Sequence, residues 1–259
     1  MKSVAKQSRQ KAAFTIVELL TVMSVIIILI SLLVPALNMV KRYAKRVMQK
    51  NQFHSIEVAL ETFHAEWEGY PESGAGAIAL AVAMVGQDRL GYNPTGDYDY
   101  DGTEDLSGRR AYLTPDKANA YMIRELYDSR LERVVLCDMY ANVTHRLTGR
   151  LVGMPILYYR ANPSGNLHDP EVSPSPVLPP LYNFYDYRDN NALADLGVPF
   201  DTSLSHPLFD NPAVFYQKTL NPQIQVVGNR PYNANSYILL SAGFNGLYGT
   251  DDDVFNFGR

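Results

Sequence analysis

The first hydrophobic segment of the chain is a long uninterrupted run. Between Leu19 and Leu37 the sequence contains no Asp, Glu, Lys, Arg or His, and a helix needs about 20 apolar residues to cross a bilayer. Residues 1–13 include bases but no acid, and these bases are Lys2, Lys6, Arg9 and Lys11. By the positive-inside tendency, this pattern predicts a helix that spans a membrane at about residues 17–38, with a cytoplasmic N-terminus.

Beyond the apolar run, the pattern becomes that of an amphipathic helix. Apolar residues recur at spacings of four, three and four, in Ile56, Leu60, Phe63 and Trp67. A basic collar precedes them, made of Lys41, Arg42, Lys45, Arg46 and Lys50. Gly69 and Pro71 are predicted to end the helix. We therefore expect one helix over residues 14–68, with its apolar stripe packed on a globular domain. The collar either contacts lipid headgroups or pairs with acidic residues of another subunit.

Residues 69–259 are numerous enough to form one well-packed globular head. Gly76–Val85 is rich in small apolar residues and predicts a helix, and Tyr237–Leu240 predicts a strand. Arg150–Tyr159 predicts a strand that is entered through a Gly-x-Pro turn. Residues of about 72–150 are interpreted as a variable insertion with its own turns. The sequence therefore predicts an anchoring helix followed by a domain of mixed helices and strands.

Two polar loops of this domain leave alternatives open. Asp97–Asp105 begins like an EF-hand, with Asp at positions one, three and five and Gly at six, but Gly108 stands at position twelve, where a bidentate Glu is needed. This loop is either an acidic, solvated turn or a calcium site completed by ligands from elsewhere. Pro163–Pro180 is predicted to be an extended surface loop, which serves either as a spacer or as a contact for a partner.

Composition argues against several classes of function. The net charge is −4 and becomes more negative without the basic first residues, which argues against nucleic-acid binding. Cys137 is the sole cysteine, so it cannot form an internal disulfide and is interpreted as a small buried hydrophobic residue. His54 and His64 are interpreted as surface residues. No histidine pair has metal-ligand spacing, and no nucleophile-elbow, P-loop or dinucleotide-binding pattern occurs, so we do not expect an enzyme.

The start of the apolar run carries a family resemblance. A short basic leader and a small residue, Ala13, precede the segment FTIVELL at residues 14–20. This arrangement resembles the signal of type IV pilins and type II secretion pseudopilins, which a membrane aspartyl peptidase cleaves and N-methylates. The resemblance implies cleavage between Ala13 and Phe14, removal of residues 1–13 as a leader, and methylation of Phe14. The family usually has Gly where this chain has Ala13.

The resemblance also implies roles for Glu18 and Pro35. Glu18 is the fifth residue after the implied cut, where the family keeps a glutamate that meets the N-terminal amine of a neighbouring subunit. Because a lone charge in lipid costs roughly 2.5 kcal/mol or more, this pairing would favour assembly over the free monomer. A residue at the membrane edge is the alternative interpretation of Glu18. Pro35 stands where family members often have a proline that loosens the helix, since proline removes one helical hydrogen bond.

The C-terminal segment, residues 241–254, resembles the calcium loop of type II secretion major pseudopilins. In those proteins Ser-x-Gly-x-Asp-Gly precedes a Gly-rich turn and paired acids. The implied calcium ligands are the Ala242 carbonyl, Asn245, Asp251, Asp252 and Asp253, with the Leu247 carbonyl as a further candidate. Asn245 replaces the usual Asp, which should weaken calcium binding. An acidic, solvated tail is the alternative. A second match lies upstream, where these proteins often have Trp-Gly-x-Pro-x-x-Tyr: Gly153, Pro155 and Tyr158 agree, and Val152 replaces the Trp.

Taken as a whole, the resemblance implies a pilin-like α+β fold: a long N-terminal α-helix, transmembrane in its first half, packed on an antiparallel sheet. It implies a single-pass inner-membrane protein with a periplasmic head, which assembles with copies of itself and minor pseudopilins into a pseudopilus that supports protein export. The implied partners are also the prepilin peptidase, the inner-membrane assembly platform and membrane lipid. The alternatives are a type IV pilin or minor pilin for adhesion, uptake or motility, and a membrane-anchored binding domain that does not polymerise.

Overall fold

The chain begins with a long helix and continues with short helices and short antiparallel strands, in agreement with the predicted mixture of helices and strands. A computed structural model describes residues 15–94, 108–171, 182–224 and 229–258. The α-helices are α1 (Ile16–Trp67), α2 (Gly76–Val85), α3 (Pro115–Ala118), α4 (Ile123–Leu126), α5 (Asn191–Ala194), α6 (Pro207–Asp210) and α7 (Pro212–Thr219). The strands are β1 (Ala120–Met122), β2 (Val134–Leu136), β3 (Val143–Thr144), β4 (Leu151–Val152), β5 (Leu157–Arg160), β6 (Tyr237–Ser241) and β7 (Val254–Phe255). Short 3₁₀ helices occupy Ser73–Ala75 and Tyr187–Asn190.

The chain divides into two compact units, Met1–Ala44 and Lys45–Arg259. The first unit is described from residue 15 onward, and all of its described residues are exposed. Its large aliphatic side chains range from 79% exposed at Ile16 to 47% at Ile26. Among the described residues, α1 is the helix that is long and apolar enough to cross a membrane, by length and composition. It continues through Pro35 without a break.

The second unit includes the C-terminal part of α1, which buries the predicted stripe. Ile56 and Leu60 are fully buried, and Phe63 is nearly so. These side chains form one apolar cluster with Tyr158 of β5 and Leu239 of β6. The prediction that the stripe packs on the globular domain is therefore confirmed for these three residues.

Trp67 departs from this stripe because α1 ends there. Its side chain is 42% exposed, and the indole N–H donates to the Tyr112 hydroxyl at 2.8 Å. His54 and His64 are exposed on the same helix, as predicted.

The largest sheet of the second unit has β6 between β5 and β7, with both neighbours antiparallel to it. Its two faces are both buried. Tyr158 and Leu239 join the cluster of α1 and α2, whereas Tyr159 and Leu240 join a second cluster that contains Phe215 of α7. Burial on both faces explains why β5 and β6 are continuous apolar runs rather than alternating ones. The pairs β1–β2 and β3–β4 form two further antiparallel ribbons.

The predicted strand over residues 150–159 is observed as two strands, β4 and β5, separated by a close backbone approach. A Cβ atom added to Gly153 would lie 2.0 Å from the Asp138 carbonyl oxygen, so only glycine fits there. Pro155 forms an isolated antiparallel β-bridge with Cys137. Cys137 is fully buried, as predicted. Burial raises the pKa of the Cys137 thiol.

Candidate functional site

The start of α1 is built as a capping box. The Thr15 backbone N–H and hydroxyl donate to Glu18 Oε2 at 2.9 and 2.8 Å, and the Thr15 hydroxyl oxygen accepts the Glu18 N–H at 3.2 Å. Such reciprocal bonds satisfy donors that a helix start leaves without a partner. The Glu18 carboxylate therefore has a local role within one chain, besides the assembly role that the resemblance implies.

The sequence carries a signal for this cap that the interpretation of Glu18 did not use. Thr15 and Glu18 have the spacing of the Ser/Thr-x-x-Glu pattern directly before an apolar run. The implied cleavage and methylation sites, Ala13 and Phe14, lie outside the described residues, as does the Asp97–Asp105 loop. Their predicted roles stay predictions.

The C-terminal loop connects β6 to β7 and is closed by its own side chains. Asp252 Oδ2 accepts the Asn245 backbone N–H at 2.8 Å, and Asp252 Oδ1 accepts the Thr250 hydroxyl at 2.7 Å. Asn245 Oδ1 accepts the Leu247 N–H at 2.8 Å, and its amide nitrogen donates to the Thr250 hydroxyl oxygen at 3.0 Å. Gly243 has φ +68°, and a Cβ atom there would lie 2.1 Å from the Asp252 carbonyl oxygen. The loop is thus a tight, internally bonded turn.

A lysine from another element reaches this loop. Lys218, in the last turn of α7, donates from Nζ to the Thr250 carbonyl oxygen at 2.6 Å and lies 3.6 Å from Asp253 Oδ2. Asp253 Oδ2 also accepts the Gly249 N–H at 3.0 Å. Burial raises the pKa of Asp253 to about 7, although the nearby Lys218 ammonium acts to lower it.

The implied calcium ligands do not share one role in this arrangement. Ala242 is fully buried, Asp251 is exposed, and the carboxylates of Asp252 and Asp253 accept hydrogen bonds from different donors. Within the described residues, no three His, Cys, Asp or Glu side chains are grouped so that they could hold a metal ion. In this arrangement the carboxylates of Asp252 and Asp253 accept hydrogen bonds, and Asp253 also lies beside Lys218, so the implied calcium site stays a prediction.

Asp138 is a site residue that no sequence motif indicates. It follows β2 by two positions and is fully buried, with Oδ1 accepting the Tyr140 and Met154 N–H groups at 3.0 and 3.1 Å. Its Oδ2 accepts the Ser241 hydroxyl at 2.7 Å, at the point where β6 enters the C-terminal loop. Burial raises the pKa of Asp138 to about 7, although these hydrogen bonds act to lower it. Asp138 therefore fixes the base of the loop from a distant part of the sequence.

A polar cleft of about 570 Å³ opens beside the 3₁₀ helix Tyr187–Asn190. Both signs of charge line it, including Glu72, Arg160, Asp186, Arg188 and Asp189. Arg188 forms two bonds with Asp186, at 3.0 and 3.1 Å, and burial raises the pKa of Asp189 to about 7. The sequence patterns did not predict this cleft.

Comparison with known proteins gives no match: no protein-family model, curated protein or solved structure is significantly similar to this chain.

Proposed function

We propose that this chain is a structural subunit of a filament, anchored in a membrane through the first half of α1 and assembled after removal of residues 1–13. The observation that carries the proposal is the exposed apolar surface between Ile16 and Ala44. Exposed aliphatic surface of this extent is unfavourable in water, so it needs lipid or copies of the same helix as cover.

The position of Glu18 supports a filament over a plain anchor. It is the acidic residue at the head of an otherwise uncharged run and the fifth residue after the implied cleavage site. Cleavage before Phe14 creates an amine, and a neighbouring subunit's Glu18 carboxylate offers that amine a partner in a low-dielectric setting. Within the pilin-like class, the upstream match at Gly153, Pro155 and Tyr158 supports a type II secretion pseudopilin over a type IV pilin.

One pair of variants separates the assembly role of Glu18 from its capping role. Glu18→Gln keeps an acceptor oxygen for Thr15 but removes the charge, whereas Thr15→Ala removes the hydroxyl cap and keeps the charge. In membranes of cells that make the full chain and a prepilin peptidase, we expect Glu18→Gln to abolish cross-linking between copies. We expect Thr15→Ala to retain it, and both variants to remain membrane-inserted.

Two outcomes would contradict the proposal. If Glu18→Gln cross-links as the unmodified chain does, the charge has no role in assembly. If mass spectrometry of the extracted chain finds an intact Met1 and no methylated Phe14, the chain is not processed as a pilin-like subunit.

A membrane-anchored binding domain is the second candidate, and the polar cleft favours it. Arg160 and Asp189 lie in a cavity that is large enough for a small polar ligand. Absence of cross-linking for every variant, including the unmodified chain, together with loss of ligand capture in Arg160→Ala, would favour this candidate over the filament.

A further inference from the structure

The C-terminal loop buries one of its three consecutive acids. Asp251, Asp252 and Asp253 are consecutive, and the Asp253 side chain is only 2% exposed. Moving a carboxylate out of water is costly unless a cation or several hydrogen bonds compensate. In the proteins that this tail resembles, calcium provides that compensation, so the question is which cation provides it here.

We propose that the Lys218 ammonium takes the place of calcium and fixes the C-terminal loop on the sheet without a metal. Lys218 Nζ contacts both the Thr250 carbonyl oxygen, at 2.6 Å, and Asp253 Oδ2, at 3.6 Å. A backbone carbonyl and a carboxylate are the oxygen types that a bound calcium ion would also use. The Lys218 ammonium thus compensates the buried Asp253 carboxylate with a single positive charge that is part of the chain.

The other oxygens of the loop are arranged for hydrogen-bond donors. Asp252 accepts the Asn245 N–H and the Thr250 hydroxyl, and Asn245 Oδ1 accepts the Leu247 N–H. A calcium ion would need several of these oxygens at once and would lie close to the Lys218 charge, which repels it. Asn in place of the family's Asp at position 245 removes one negative charge, as expected for a loop whose cation carries one charge rather than two.

The position of Lys218 on α7 makes this cation part of the fold. The α7 helix is anchored at its start by the Asn211 side chain, which accepts the Ala213 N–H, and at its end by Thr219, whose hydroxyl donates to the Phe215 carbonyl. Lys218 itself is 23% exposed at its side chain. A tethered cation does not depend on the concentration of free ligand, so the stability of the loop should not depend on calcium.

The test is thermal unfolding of the full chain in detergent, with near-ultraviolet circular dichroism as the signal. The Tm is measured once with millimolar calcium and once with a chelator. We expect the same Tm in both solutions. Lys218→Met keeps the aliphatic stem and removes the charge. At about pH 8.5, above the pKa of Asp253, it should lower Tm by roughly 5–10 °C, because it leaves the ionised Asp253 carboxylate buried without its cation. Lys117→Met, at an exposed lysine of α3, is the matched control and should leave Tm unchanged.

A double variant tests whether Lys218 acts through Asp253. Lys218→Met combined with Asp253→Asn removes both charges and should lower Tm by clearly less than the sum of the two single changes. A calcium-dependent rise in the Tm of the unmodified chain would overturn the proposal, as would strictly additive effects in the double variant. Neither outcome bears on the filament proposal, since cross-linking between copies is measured separately.

Discussion

The two parts of α1 are one continuous helix in two chemical settings. Up to Ala44 every described residue is exposed, although most residues between Leu19 and Leu37 are aliphatic. From Gln49 to Phe63 one stripe of the helix is buried in the core of the second unit, and the other side chains remain in contact with solvent.

Hydrophobic content alone therefore does not determine where a helix is buried. The second part has fewer apolar residues, but they repeat with the helical period, so one face can pack on β5 and β6. The first part is apolar on all sides, which suits a lipid environment or a bundle of identical helices. Substitutions in the two parts should therefore differ in their effect on the free energy of unfolding.

The largest expected effect comes from removing the same side chain in each part. Leu60→Ala should lower the free energy of unfolding of the second unit by about 4 kcal/mol, because it leaves a cavity at a fully buried site. Leu29→Ala, at a residue that is 60% exposed, should change it by less than about 0.5 kcal/mol. Chemical denaturation of the full chain in detergent measures both. Equal losses would show that the first part also contributes to the core.

A smaller effect is expected in the pH dependence of stability, which should show the titration of the buried Asp138. Burial raises the pKa of Asp138 from 3.8 to about 7, so the folded state binds a proton that the unfolded state releases between these values. The resulting stabilisation is present below about pH 4 and is lost as pH rises to about 7. Between about pH 4 and about pH 7, the free energy of unfolding of the unmodified chain should fall by about 3 kcal/mol more than that of Asp138→Asn. Chemical denaturation at each pH measures both.

The comparison with Asp138→Asn is needed because two histidines act in the opposite direction. Burial lowers the pKa of His168 and of His206 to about 4, so their contribution to stability falls as pH falls below 6.5. Both are present in the variant as well, so their effects cancel in the difference. The asparagine can retain its bonds to Tyr140 and Met154 through Oδ1. If the free energy of unfolding changes with pH in the same way in the unmodified chain and in Asp138→Asn, the raised pKa of Asp138 is contradicted.

The smallest expected effect on stability is that of Pro35→Ala in the first part of α1. Proline lacks the N–H that would bond to the carbonyl of residue 31, so alanine restores one helical hydrogen bond. Hydrogen exchange of the neighbouring amides should slow by several-fold, while the Tm of the second unit stays unchanged. A change in that Tm would show that the two parts of α1 are energetically coupled.

Local patterns were enough to predict the main elements. The spacing of Ile56, Leu60 and Phe63 predicts the buried face of α1, and the apolar run at Tyr237–Leu240 predicts β6. The predicted strand over residues 150–159 was too long, because the close approach of Gly153 to the Asp138 carbonyl interrupts it. The spacing of apolar residues along the chain cannot predict a close backbone contact between separate segments.

The contacts around the C-terminal loop could not be predicted for a related reason. Asp138 and Ser241 are 103 positions apart, and Lys218 and Thr250 are 32 apart. Neither Asp138 nor Lys218 belongs to a recognisable motif, so only the fold brings them to the loop. The cap formed by Thr15 and Glu18 is the opposite case, since its pattern lies within four consecutive residues.

The burial of Cys137 has a consequence for redox chemistry. Its side chain is fully enclosed, and burial raises the pKa of its thiol, so the reactive thiolate is scarce at neutral pH. A chain whose only thiol is shielded in this way can enter an oxidising compartment without forming mixed disulfides or covalent dimers. The same shielding leaves the molecule free of background labelling, so a single cysteine introduced on the exposed face of α1 would report its neighbours alone.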